Sequence, residues 1–198
     1  MNTWSHIVMG KFLCRYVEKH YDIRLDQKSF VLGNVLPDYC PSFITRPHYL
    51  ENNTVYVQNI LYHLVPPKAP ARNDKKYSRL LGILCHFYAD FFCYAHRGHA
   101  MKSLREHIRY EKRLHRYFVE KLKQICAVRF IAQPVPGAGA QGIYRRFERL
   151  HDSYLLSYPS YGNDLLYAMT ACVDAVVSAA GAASAQADFC RPGSRRAM

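Results

Sequence analysis

His86 and Asp90 stand four residues apart, and His107 and Glu111 repeat that spacing. On a helix, residues four apart project from one face, so each pair can aim an imidazole and a carboxylate at one point. His96 lies between the two pairs. Asp38 and His48 flank a proline-rich stretch, and His6 falls near the start of the chain. Imidazole nitrogens and carboxylate oxygens are the ligands zinc takes in catalytic sites. A lone His/Asp pair at this spacing is ordinarily a hydrogen bond or a surface pair. His86 and Asp90, however, sit inside Leu-Gly-Ile-Leu-Cys-His-Phe-Tyr-Ala-Asp-Phe-Phe. An unpaired carboxylate is costly to bury there, and a cation beside it would offset that cost. The cation is either a metal ion or an arginine, Arg79 or Arg97.

The elements that must position these residues read as helices. Apolar residues at 8, 9, 12, 13, 16 and 17 predict a helix over 5–21 with Ser5 as its cap. A short helix is expected over 27–33, stopping before Gly33-Asn34. Pro37, Pro41 and Pro47 then predict a bent loop over 34–48. Helices are expected over 50–64 and over 74–96, the latter capped by Asn73 or Asp74 and buried on most sides by Leu80, Leu84, Phe87 and Phe91. Ser103-Leu-Arg-Glu106 fits a capping box that opens a helix to about 125. Residues 134–142 read as loop, and 144–157 and 163–181 as helices. The apolar stretch 165–185 contains Asp174 and is rich in Ala, Ser and Gly, which marks a buried helix rather than a membrane span. No stretch alternates as a strand does. The expected class is all-α, a single helical domain over 1–185 with a mobile tail over 186–198.

Composition narrows the function. Lys plus Arg is 27 and Asp plus Glu 15, a formal net charge of +12, which suits an anionic partner: a phosphate-bearing substrate, a membrane surface or nucleic acid. Hydrophobic residues make up 49%, enough to fill a core. The first ten residues lack the charged and apolar regions of a signal peptide. The seven cysteines form no Cys-x-x-Cys pair and read as free thiols in a reducing compartment. A cytoplasmic, monomeric protein with peripheral membrane contact at most is the expectation. Half of the ten histidines fall in the spacings above. His20, His63, His99, His115 and His151 fit no ligand position, although His99 and His115 lie close enough in sequence to support the ligands. Tyr39, Phe43 and Tyr49 are candidates to line a substrate mouth. The aromatic stripe Phe87–Tyr94 is expected to be core, and the basic runs Arg97–Arg116 and Arg145–Arg149 to be solvated helix faces.

The run His86-x3-Asp90-x5-His96-x10-His107-x3-Glu111 resembles the zinc-binding core of the bacterial zinc-dependent phospholipase C family. That family includes broad-specificity phosphatidylcholine hydrolases and a membrane-damaging toxin. Upstream, Ser5-His6-Ile7-Val8 resembles the family's first-helix histidine segment. Leu32-Gly-Asn-Val-Leu-Pro-Asp-Tyr39 is similar to its Gly-x3-Pro-Asp-Tyr element, and His48-Tyr-Leu to the histidine that follows. The likeness spans about residues 4–115 in one order. It implies the helical fold shared by phospholipase C and single-strand-specific nucleases, with two or three zinc ions. Asp38, His48, His86 and Asp90 would hold one, and His96, His107 and Glu111 a second. His6 and Asp90 would hold a third, with Asp90 bridging. The family completes the third site with an N-terminal tryptophan. Here three residues precede Trp4, so that site is empty, completed by water, or completed by the Met1 amine, and Trp4 is expected to be an ordinary core aromatic. Nothing after residue 120 leaves length for the β-domain that secreted members carry.

The resemblance implies a mechanism. Clustered zinc ions would neutralise a phosphate ester's oxygens and acidify an attacking water, with Asp38 as general base as well as ligand. The expected activity is a zinc-dependent phosphodiester hydrolase that releases diacylglycerol and a phosphorylated headgroup from phospholipid. Two other readings stay open: a zinc nuclease or phosphatase acting on single strands, which the +12 charge also suits, and a non-catalytic metal-containing module that binds acidic membrane or nucleic acid.

Overall fold

The computed structural model of the protein describes residues 1–39, 48–65, 74–98, 100–128, 130 and 139–189. Seven α-helices and one 3-10 turn carry these residues, and no strand occurs among them. They are α1 (Thr3–Tyr21), α2 (Gln27–Tyr39), α3 (Leu50–Leu64), α4 (Lys75–Phe91), the turn Tyr94–His96, α5 (Leu104–Ile125), α6 (Ala140–Leu156) and α7 (Tyr161–Phe189). The class is all-α, as the apolar periodicity predicts.

Central to the bundle is α4. Leu81, Leu84, Cys85, Phe87, Tyr88 and Ala89 are buried on nearly all sides, against α2, α3 and α7. A buried side chain of this size contributes roughly 1.5–3 kcal/mol, so α4 is the element the others are organised around. Its tightest neighbour is α2. A Cβ on Gly33 would lie 2.2 Å from the Arg79 carbonyl oxygen, and one on Gly82 would lie 2.2 Å from that of Phe30. The two glycines let the helix backbones touch. Helix α1 runs antiparallel to α2. Thr3 at its start donates to Asp38 at the end of α2 (2.7 Å), and Gly10 faces Val31 and Asn34. Behind α4 lies α7, long and apolar enough to cross a membrane yet mostly buried in this core. Its Asp174 is paired with Arg146 of α6.

Several boundaries differ from expectation, each for a physical reason. The N-cap of α1 is Asn2, whose side-chain oxygen accepts from the Ser5 amide, so Ser5 lies within the helix. Helix α2 does not stop at Gly33 but runs through Pro37 to Tyr39. Gly33 serves the contact with α4 instead of a helix end, and Pro37 lies in the last turn, where few bonds are at stake. Residues 40–47, which hold Pro41, Phe43 and Pro47, lie outside the described residues. Helix α4 ends at Phe91 rather than at 96, because Asp164 of α7 takes the Tyr94 amide (3.0 Å) that a continuing helix would give to the Asp90 carbonyl. Asp74 caps α4 and Ser103 caps α5, with Glu106 reaching back to the Lys102 amide. Helix α6 begins at Ala140, four residues ahead of the expected start. Helix α7 continues to Phe189, past the expected start of the tail at 186, and 190–198 lie outside the described residues.

Candidate metal centre

Five elements, the segment ahead of α3 and the chain's first residue converge on one point. Helix α1 brings His6, the end of α2 brings Asp38, and His48 precedes α3. Helix α4 brings His86 and Asp90, the 3-10 turn His96, and α5 His107 and Glu111. All eight side chains singled out by spacing meet here, in three groups whose ligand atoms lie within 4.8 Å of one another: His6, Asp38 and His86; His48, His86 and Asp90; and His96, His107 and Glu111. The last is the set expected for a second ion. Asp38 approaches His86 (3.8 Å) and groups with His6 instead of standing beside His48 and Asp90 together.

Asp90 is fully buried at the junction of the groups. Its Oδ2 lies 2.9 Å from His48 Nδ1 and 3.3 Å from His86 Nε2, and its Oδ1 lies 3.2 Å from His6 Nε2 and 3.7 Å from His96 Nε2. Burial alone would raise its pKa. Interactions with His96, the amino terminus, His6 and His86 outweigh burial and hold the carboxyl well below its ordinary range. Glu111 Oε1 sits 3.0 Å from His96 Nε2 and 3.2 Å from His107 Nε2. It too is held low, since the amino terminus and the two histidine bonds overcome burial. Neither Arg79 nor Arg97 supplies the cation at Asp90. Arg79 is exposed, and Arg97 donates to the Leu155 carbonyl (2.7 Å).

The Met1 amine fills that role. It is buried against Asp90 Oδ1 and stands 3.0 Å from His96 Nε2 and 3.2 Å from Glu111 Oε1. Burial lowers its pKa, but Asp90, Cys93 and Glu111 together raise it well above the usual amino-terminal value. Nothing in the local sequence marks Met1 for this place. The length of α1 and the Asn2 cap put it there.

The donor set fits zinc. His86 Nδ1 donates to the Asn34 carbonyl (2.8 Å), which fixes the tautomer and turns a free Nε2 lone pair inward. That lone pair faces His48 Nδ1 at 3.3 Å, an arrangement that a shared cation would satisfy. His6 is stacked on His86 (ring centroids 4.0 Å apart), and neither of its ring nitrogens makes a hydrogen bond although both are buried. Orphaned buried nitrogens are rare and call for a partner. Burial, with the nearby His86, lowers the His6 pKa to about 4, so its imidazole is neutral and ready to ligate at neutral pH. Burial lowers that of His96 as well, against the pull of Asp90. Burial also disfavours the charged form of His48, but the hydrogen bond to Asp90 and the charges of Asp90 and Asp38 raise its pKa.

Asn34 is the supporting residue that spacing alone misses: the Gly33–Gly82 contact one turn away is what brings its carbonyl to His86. Trp4 is not a core aromatic. It is 68% exposed, because the face of α1 it occupies points away from the bundle. His115 lies beside the cluster, with Nδ1 3.1 Å from Ser5 Oγ. His20 packs on Tyr16, His63 on its own helix, and His151 among Phe92, Phe147 and Tyr154. The Tyr49 ring lies 6.4 Å from that of His96, Tyr39 is exposed, and Phe43 and His99 lie outside the described residues.

Comparison with curated proteins and with solved structures gives no significant match. A family profile described as zinc dependent phospholipase C matches residues 5–165, a range that contains all eight of these side chains. With most of its length matched, this chain belongs to the zinc-dependent phospholipase C family.

Proposed function

We propose that the protein is a zinc-dependent phosphodiester hydrolase that cleaves phospholipid into diacylglycerol and a phosphorylated headgroup. The observation that carries the reading is the buried junction at Asp90, where two of the three donor groups share His86, Asp90 touches histidines of all three, and both ring nitrogens of buried His6 lack a hydrogen bond. Zinc held there would supply Lewis-acid neutralisation of the phosphate and lower the pKa of water. The protein's own residues do the rest. Asn34 holds His86 in one tautomer. Met1 and His96, with His6 and His86, keep Asp90 ionised. His107 and His96 fix Glu111.

Asp38 is the proposed general base as well as a ligand. Its side chain is 20% exposed, against 0% for Asp90 and 13% for Glu111. It is therefore the carboxylate of the three that solvent water reaches most freely, and Thr3 holds its second oxygen in place. His6, Asp38, His48, His86, Asp90, His96, His107 and Glu111 form the proposed ligand set for two or three ions.

The test is metal analysis of the purified protein, followed by chelation and zinc return with phosphatidylcholine micelles and single-stranded DNA as parallel substrates. Bound zinc and zinc-restored lipid cleavage are expected. Cleavage confined to DNA would replace the lipid reading with the nuclease one. Zinc binding without hydrolysis of either would leave a non-catalytic metal protein.

A further inference from the structure

The face of α1 and α2 opposite the core carries side chains that a water-soluble fold ordinarily keeps apart. Trp4 is 68% exposed, Leu32 51% and Tyr39 67%. Trp4, Ile7 and Lys11 form one stripe along α1, at helical spacings of three and four. Leu32, Val35 and Tyr39 form the matching stripe along α2. The helices are antiparallel, and the Thr3–Asp38 bond joins the ends that carry Trp4 and Tyr39. The two stripes therefore run side by side. Between them lies a groove of about 1040 Å³ floored by Ile7, Leu32 and Val35 and rimmed by Lys11, Lys28 and Lys75. Its one acid, Asp26, is engaged with the Ser29 amide (2.8 Å). The rim is thus net positive over an apolar floor.

We infer that this face is a docking surface for an anionic phospholipid bilayer. Exposed Trp and Tyr favour the interface between headgroup and acyl chain, where an apolar ring and a polar edge are both satisfied. Lysines around an apolar patch meet anionic headgroups, each contributing roughly a fivefold gain in affinity near the surface. The choice of a bilayer over a protein partner rests on the phospholipase reading, and on position. The Trp4–Tyr39 end of the patch is the end that carries His6 and Asp38, so a bilayer seated here would lie beside the mouth of the candidate metal centre.

The experiment uses the full chain with metal removed by chelator, so that binding is read apart from hydrolysis. Vesicles of phosphatidylcholine with phosphatidylglycerol are compared with phosphatidylcholine alone, by co-sedimentation and by tryptophan emission. Trp4 is the chain's single tryptophan, so a blue shift on vesicle addition reports this surface and no other. The expected results are binding that strengthens with anionic lipid and a blue shift. Trp4→Ser with Leu32→Ser is expected to weaken binding about tenfold or more, and Lys28→Glu with Lys75→Glu about tenfold or more. Thermal midpoints should stay within a degree or two of wild type, and zinc-loaded hydrolysis of a soluble short-chain phosphodiester should be unchanged. Sedimentation without a blue shift, or variants that bind as wild type does, would overturn the inference. Lipid binding with these losses but no hydrolysis by the zinc-loaded protein would sustain the docking surface and defeat the catalytic reading.

Discussion

At the scale of single residues, the centre depends on Asp90 more than on any other group. Its two oxygens face the Met1 amine and four imidazoles. Replacing it with Asn leaves the buried Met1 ammonium without its closest counter-charge, a change that typically costs about 3–5 kcal/mol. It also removes the carboxylate that contacts histidines of all three groups. Asp90→Asn is therefore expected to lower the unfolding midpoint of the metal-free protein and to lose bound zinc, which denaturation and metal analysis check separately. A variant that kept both its midpoint and its full metal content would remove Asp90 from the junction. Ligand types were legible in the sequence because spacing on a helix determines which side chains share a face. Met1 was legible only as one of three ways to complete a third zinc site, not as the counter-charge of Asp90, since no local pattern says where a chain end will be buried. Trp4 was misread, because hydrophobicity predicts burial only on average, and its face of α1 has no helix packed over it.

At the scale of elements, the centre stands on contacts between helices that carry no ligand themselves. Asp164 of α7 is the clearest case. It accepts from the Tyr94 amide (3.0 Å), the Tyr110 hydroxyl (2.8 Å) and the Tyr154 hydroxyl (2.8 Å), and is fully buried. Tyr94 is two residues from His96 and Tyr110 is next to Glu111, so one carboxylate holds both the 3-10 turn and α5 in register. Asp164→Ala strands the buried Tyr154 hydroxyl at about 1–3 kcal/mol and frees two half-buried donors, on Tyr94 and Tyr110, that water can partly satisfy. The expected outcome is a lower unfolding midpoint with zinc affinity weakened at the His96–His107–Glu111 group more than at His86. Metal titration separates the two, and an equal loss at both groups would count against this role for Asp164. The helices themselves were legible from period and caps. Where helix α4 ends and how far α2 runs were not, because both are decided by partners distant in sequence: Asp164 for α4, and the Gly33–Gly82 contact for α2. A glycine that permits close packing and a glycine that stops a helix look alike in a sequence.

At the scale of the whole molecule, net charge and histidine burial set the response to pH. The charge of +12 was plain from composition, but its placement, with lysines around an apolar face of α1 and α2, needed the fold. The histidines behave similarly: their excess was visible, their burial was not. Burial lowers the pKa of His6 to about 4 and also lowers those of His96, His115 and His151. An unfolded histidine takes up its proton near pH 6.5. Between that value and the lower folded pKa, the unfolded chain binds more protons than the fold, so stability falls as pH falls. His48, raised by Asp90, and Asp164, raised by burial, work the other way, and they stand against four. The metal-free protein is accordingly expected to be less stable at pH 5 than at pH 7, by an amount on the order of a few kcal/mol. His151 isolates the effect, because it lies outside the metal centre among Phe92, Phe147 and Tyr154. His151→Phe removes a proton site that only the unfolded state fills readily, and it keeps a ring in the aromatic cluster. Its stability difference between pH 7 and pH 5, measured by denaturant unfolding under chelator, should be smaller than that of wild type. An unchanged difference would mean that His151 takes up its proton as easily in the fold as outside it, and that acid sensitivity resides in His6, His96 and His115.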